Sequence, residues 1–440
     1  MANSLSATTA TEIGTDGSSP SIAQQHGNWF AQTGLRHLHA FTLFAFAAFV
    51  SFSIAGAHIS LGLLTLCVAL QIAKSKRQKA KKTSFLLGIE WPIIAFALIA
   101  LASTALSEMP LASFRNMRHL LTILGAYTVA FSLRQYPEWR RPLLWTFISV
   151  ATVAALYGLG KFAFGFSSKV QSAQGTTMTW GALSVMFMAV TLQMALAAPT
   201  RRERWLARAQ IIPQIFSLLF SLVRGAYIGF FASAVYLLRQ YWSKRRILLQ
   251  RLLPACLILL LVSVFSPTVR QRVAAIFDLN TPSTQVRLIQ WKYALKIVAA
   301  HPVVGVGWRD LQPVIRRYAT PAPNIPEYIS KDVFSIGHFH STYVTILVCF
   351  GVAGFLAFAW LMISVWRTLG MAMKHTGDES RRSIIFASRA ALLGFLVAGI
   401  FDWTFGDAEV VTMLWFVIGM GLGQADAAPS SSPISFPRAR

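Results

Sequence analysis

Residues 59–106 read ISLGLLTLCVALQIAKSKRQKAKKTSFLLGIEWPIIAFALIALASTAL. Two apolar runs flank a knot of cations: Lys74, Lys76, Arg77, Lys79, Lys81 and Lys82. Apolar runs of about 17 to 25 residues cross a hydrocarbon layer as helices, which satisfy their own backbone hydrogen bonds. Cations between spans stay in the cytoplasm, so this knot orients the segments around it.

The pattern continues in both directions. Apolar segments at 39–56, 58–73, 84–106, 117–133, 143–165, 180–198, 209–223, 226–242, 252–266, 342–366, 386–404 and 409–424 predict an all-α polytopic membrane protein of about twelve spans. The basic loops RQYPEWRR, TRRERWLAR, SKRR and RTLGMAMKHTGDESRR alternate with loops poorer in cations and share the side of the first knot. Both termini are then cytoplasmic. Residues 1–28 and 426–440 read as disordered tails, 29–266 as the first nine helices and 342–425 as the last three. Residues 267–341 form a long, partly helical loop on the periplasmic side of a bacterial inner membrane. No internal repeat is visible, which argues against transporters built from inverted repeats.

Composition excludes other classes. The 440 residues are 55% hydrophobic and only 13% charged, a balance that no soluble core requires. The formal charge of +24 is scattered between apolar runs, which fits membrane orientation and not nucleic acid. Cys67, Cys256 and Cys349 lie inside apolar runs and read as small packing residues.

Several polar residues sit where charge is costly. FSLLFSLVRGAYIGFFASAVY (216–236) carries Arg224, followed by Gly225, at the external end of a hairpin. A cation there faces a partner or a polar cavity, or else snorkels to the surface. Gly225 would allow a break or turn. In the long loop, Thr281-Pro282-Ser283-Thr284 supplies turn and N-cap chemistry for a helix that ends before His301-Pro302. Ile289, Leu295, Ile297 and Val298 read as its apolar side, and Arg287, Lys292 and Lys296 as a cationic side suited to a membrane surface. Arg287 and Trp291, four apart, share a face. Either Arg287 touches lipid phosphates or its planar fork grips a phosphate of a ligand. Glu90, beside Pro92, neutralises an arginine, caps a kinked helix or sits at a helix end. Asp402, Asp407 and Glu409 cluster in the external turn of the last hairpin, as counter-charges or as solvated loop charge.

His338 and His340 stand at the lip of the span that begins near 342. Three roles suit them: hydrogen bonding at the interface, metal chelation, or general base catalysis near neutral pH. Arginines on the same side favour the third. They would hold an anionic leaving group while a histidine deprotonates an incoming hydroxyl.

These residues carry a resemblance. His340-Ser341, nine residues, Gly351, two residues and Gly354 resemble the signature of the O-antigen ligases. Arg224-Gly225, and Arg287 with Trp291 followed by His301-Pro302-Val303-Val304-Gly305-Val306-Gly307, resemble stretches shared with O-antigen polymerases and protein O-oligosaccharyltransferases. Leu222-Val223 departs from the family, where a serine commonly precedes the arginine. The resemblance implies a GT-C-like glycosyltransferase of the inner membrane. Its donor would be O-antigen on undecaprenyl pyrophosphate and its acceptor a sugar hydroxyl of lipid A-core. On that reading Arg224 and Arg287 bind the pyrophosphate and His338 or His340 is the base, with Trp291 and Ser341 in support; Asp402 and Glu90, read from the residues alone, are further supporting candidates. No metal or cofactor is expected, and no nucleic acid; membrane lipids surround the chain. The runner-up readings are a polymerase or oligosaccharyltransferase, or a transporter of anionic lipid-linked sugars.

Overall fold

The computed structural model describes residues 22–77, 83–173, 175–242, 266–274, 278, 280–319, 326–335 and 337–425. Among these residues it is all-helical, with no strand. The first nine α-helices are α1 (Ile22–Phe49), α2 (Ile54–Arg77), α3 (Glu90–Ala105), α4 (Pro110–Met117), α5 (Leu124–Gln135), α6 (Arg140–Ala163), α7 (Thr177–Ala197), α8 (Arg201–Ser221) and α9 (Arg224–Leu238). The long loop holds α10 (Pro267–Ala274), α11 (Pro282–Ala300), α12 (Gln312–Tyr318) and α13 (Glu327–Ser335). The chain closes with α14 (Thr342–Lys374), α15 (Glu379–Ala398) and α16 (Ala408–Leu422).

Among the described residues four stretches are long and apolar enough to cross a membrane: Ile54–Ser75, Pro137–Ala163, Thr177–Ala197 and Thr342–Lys374. Glu90–Ala105, Arg224–Leu238 and Ala408–Leu422 are shorter apolar helices. Residues 252–265 of the expected ninth span, the tail from 426 and residues 1–21 lie outside the described residues. Residues 22–28, expected as tail, are the first turns of α1.

The centre of the bundle is α7, buried along almost its whole length and packed by α8, α9, α15 and α16. Between apolar helices in lipid the hydrophobic effect supplies no drive, so close packing of small residues decides contact. Gly229 of α9 and Gly394 of α15 meet directly. A Cβ on Gly229 would stand 2.8 Å from the Gly394 carbonyl oxygen. Ser233 Oγ donates across the same contact to the Ala390 carbonyl at 2.8 Å. This contact fixes the start of α9 beside the turn that follows α15.

The other organising feature is a break in α14. Gly351 takes φ +65°, so the helix kinks there and leaves backbone groups without intrahelical partners. Residues 302–307 fill them as a strap. Val352 N–H donates to Pro302 O (2.8 Å) and Ala353 N–H to Val303 O (3.2 Å). In return Val306 N–H donates to Val348 O (3.1 Å) and Gly307 N–H to Cys349 O (3.0 Å). The strap comes so close that Cβ atoms at Gly305 or Gly351 would strike Val348 O or Val303 O. Ser103 at the end of α3 adds a hydrogen bond to Cys349 O at 2.7 Å. Beyond the strap, Ser107 Oγ donates to Val306 O (2.9 Å) and Asn116 Nδ2 to Trp308 O (2.9 Å). Arg309 pairs with Glu108 at 2.9 Å, and Arg317 with the same carboxylate. Hydrogen bonds from Arg317 and Arg309 hold the Glu108 carboxyl down at about 2.

Helix α11 corrects one expectation. Its inner face is Val286, Gln290, Tyr293, Ala294 and Ile297, a spacing of four, three, one and three that keeps one helical stripe. Leu295 is 69% exposed. The helix packs onto α12, α13 and α14 and is not a free surface helix. Of the residues read as its apolar side, Ile297 is buried and Ile289 and Val298 pack against the core, so Leu295 is the one that points outward.

Gly351→Ala places a side chain into the Val303 carbonyl at a left-handed position, where strain alone costs about 1–3 kcal/mol. Thermal unfolding in detergent should show a large loss. Gly160→Ala in α6, with nothing within 4 Å of the added Cβ, should lose no stability and gain up to about 1 kcal/mol. Equal effects would contradict the strap.

Candidate functional site

One cavity, of about 280 Å³, gathers the sequence-predicted arginines. Arg224, Arg287, Ser283, Thr284, Trp291 and Asp402 line it, with Phe401 and Lys169. The start of α9, the first three turns of α11 and the turn between α15 and α16 build it, with the start of α7 and Lys169 from the segment before α7.

Arg224 is the first residue of α9. The turn before it is made by Leu222 at φ 59° and not by Gly225. Gly225 serves close approach instead, since a Cβ there would lie 2.9 Å from Phe401 Cβ. The guanidinium receives hydroxyl acceptors from α11: Ser283 Oγ at 2.6 Å, Thr284 Oγ1 at 3.2 Å and Thr281 Oγ1 at 3.3 Å. The sequence marked Thr281 to Thr284 as helix-capping, but Thr281 makes no side-chain cap bond. These hydroxyls position Arg224. Arg287, one turn further along α11, donates from Nη1 to Ser283 O at 3.3 Å.

Trp291 lines the far wall and donates from Nε1 to Phe339 O at 2.9 Å. Phe339 stands between the two histidines. Ser341 is the N-cap of α14, accepting from Val344 N–H at 3.5 Å. Thr342 binds the 399–404 turn through its N–H to Gly399 O (2.7 Å) and its hydroxyl to Asp402 O (3.0 Å). That registers Asp402 against His340, with Oδ1 3.9 Å from Nδ1. Neither imidazole lines the cavity; Asp402, beside His340, and Trp291, bonded to Phe339 O, do.

The histidines differ. The imidazoles meet edge to face at 4.7 Å between centroids. His340 backbone N–H donates to His338 Nδ1 at 3.2 Å. The His338 lone pair is therefore engaged at Nδ1 and its proton sits on Nε2. Burial, then the neighbouring His340, pushes His338 down to about 4, so it is neutral at physiological pH. His340 is 8% exposed, and its Nδ1 is buried without a hydrogen-bond partner. Burial pushes Asp402 up, but His340, His338 and the Trp403 N–H (2.8 Å) outweigh it, leaving the carboxyl below its ordinary value. Leu222 and His340 are the non-glycine residues with positive φ among those described, and both flank this site. Strain of that kind persists only where the surroundings over-determine it.

Glu90 is elsewhere. It opens α3, whose other end meets the strap, so about 24 Å of helix separates it from the site. Its Oε1 accepts from Leu87 N–H (2.7 Å), Gly88 N–H (3.1 Å) and Tyr127 OH (3.2 Å). It holds a helix start and corrects the expectation of a supporting site residue. Asp407 accepts from Thr179 Oγ1 at 2.5 Å. Burial, then Glu409, raises it to about 8. Among the described residues no group of three or more His, Cys, Asp or Glu could hold a metal ion.

The fold and site thus define a class: a multi-pass, all-helical membrane protein with a cation-lined cavity beside a histidine pair. The family model described as O-Antigen ligase matches residues 209–359, about a third of the chain, and supports membership in the O-antigen ligase family. The matched stretch contains Arg224, Arg287, Trp291, the strap and His340 to Gly354, but neither Glu90 nor Asp402. A search of curated proteins finds no match. The family implies glycosyltransferase-type activity of the O-antigen ligase or polymerase kind.

Asp407 yields a pH prediction. Folded, it keeps its proton to about 8; unfolded, it releases it near 3.8. Its contribution to stability is full below the unfolded value and is lost as pH rises through the folded one. Thermal scans across that window should show the wild type declining relative to Asp407→Asn. Parallel curves would contradict this.

Proposed function

We propose that the chain transfers an O-antigen polysaccharide from undecaprenyl pyrophosphate to a sugar hydroxyl of lipid A-core, at the periplasmic face of a bacterial inner membrane. The observation that carries this reading is the convergence of Arg224 and Arg287 in one cavity whose wall, Asp402, is 3.9 Å from His340. Two guanidiniums suit a pyrophosphate, because each planar fork pairs with two oxygens. They stabilise the charge that builds on the leaving group.

His340 is the better base. Its Nδ1 faces Asp402, which favours a proton there and leaves the Nε2 lone pair for the acceptor hydroxyl. His338 has its lone pair occupied and presents an N–H donor. In the transfer, the acceptor oxygen attacks the anomeric carbon and its proton passes to His340. The bond from that carbon to the phosphate oxygen breaks, and undecaprenyl pyrophosphate departs with the electron pair. A single displacement inverts the anomeric centre. The sequence offers no carboxylate pair suited to Mg²⁺, so the arginines carry the charge and the reaction proceeds without a metal.

A lipopolysaccharide gel of a deletion strain tests this. Core-only lipopolysaccharide, restored by the wild-type chain and not by His340→Ala, is expected; a lost base typically costs about 10²–10⁴-fold. Core capped with a single repeat would mean a polymerase, and an unchanged ladder would overturn the assignment.

A further inference from the structure

Far from the cavity, two more arginines share one aromatic ring. Helix α9 runs about 22 Å from Arg224 to Leu238, and Arg239 follows it at the opposite end of the bundle. The Arg239 guanidinium carbon lies 4.3 Å from the Tyr236 ring centroid. Arg389 of α15 lies 5.9 Å from the same ring and 4.0 Å from the Trp366 ring of α14. Stacking of this kind orients guanidiniums but leaves their charge uncompensated. Among the described residues neither arginine pairs with a carboxylate. Tyr236 is only 6% exposed, yet its hydroxyl is buried without a hydrogen-bond partner, as is Arg389 Nε. A buried hydroxyl left unpaired is costly and rare.

The surroundings indicate what these groups serve. Phe231 (69% exposed), Val235 (48% exposed) and Arg239 are spaced by four, so an exposed apolar stripe of α9 ends at the cation. Gly370 of α14 faces Arg389, and a Cβ there would lie 3.7 Å from its guanidinium carbon. No side chain from that position covers the cation. An acyl chain along the stripe and a phosphate at its end would match this layout. A free phosphate would have no use for the stripe.

We propose that Arg239 and Arg389, with the Tyr236 hydroxyl, bind the phosphate of an anionic phospholipid in the leaflet opposite the candidate active site. The charge pattern of the sequence assigns its basic loops to this side, where anionic headgroups attract cations. The inference rests on the helices spanning a membrane and not on the transfer reaction.

The test is binding of phosphatidylglycerol to the purified full-length chain in zwitterionic micelles, with phosphatidylcholine and inorganic phosphate as comparisons. Saturable binding of phosphatidylglycerol alone is expected. Arg239→Gln, at an exposed helix end, should weaken it about fivefold, and Arg239→Gln with Arg389→Gln further. Undiminished binding by Arg239→Gln would overturn the proposal, as would equal binding of phosphatidylcholine. Competition by millimolar inorganic phosphate would reassign the site to a free anion and overturn the lipid assignment. Polysaccharide transfer, measured separately, has its own readout.

Discussion

Everything at the candidate site hangs on the broken backbone of α14. At Gly351 the helix gives up its own hydrogen bonds, and Val348 O, Cys349 O and the N–H groups of Val352 and Ala353 need partners. In an apolar interior an unpaired peptide group costs several kcal/mol, so the strap 302–307 is held as firmly as a strand in a sheet. Because the strap follows α11 directly, the kink also fixes where α11 lies. Because His340 and Ser341 precede the kink by about three turns, it sets where the imidazoles stand. The glycines of the motif are thus explained by space and backbone angle, without assigning them chemistry.

From that clasp the site follows by packing. Gly229 against Gly394 brings α9 and α15 together, so Arg224 and the Asp402 turn face the same space. Helix α11 then lays the hydroxyls of Thr281, Ser283 and Thr284 on Arg224 and presents Arg287 one turn on. Leu222 and His340 hold left-handed backbone on either side. The arrangement is preorganised: the arginine fork is aimed by neutral hydroxyls, which direct it without cancelling its charge.

Much of this was legible in the sequence. Arg224 stood out because a cation inside apolar residues needs a reason, and Arg287 with Trp291 because spacing of four shares a face. What was not legible depended on contacts between distant segments. Thr281 to Thr284 looked like a helix cap, since nothing local reveals that Arg224, about 60 residues earlier, takes those hydroxyls. Gly225 looked like a hinge, but Phe401 supplies its reason. Of the three roles open to Glu90 in the sequence, only geometry selects the helix end: it opens α3, far from the cavity, and accepts from backbone N–H groups. On α11 Leu295 was misread as inward-facing because an exposed apolar residue gives the same signal as a buried one. The likeness of His338 and His340 was broken only by geometry: a backbone N–H reaches one ring and a carboxylate faces the other.

The central claim is a division of labour between arginines that hold the donor and a histidine that activates the acceptor. Purified His340→Ala, given lipid-linked polysaccharide and lipid A-core, separates the two. The account predicts donor binding close to wild type with transfer lost. Binding and transfer lost together, or both retained, would contradict it and point to a protein that carries the lipid-linked sugar without reacting it.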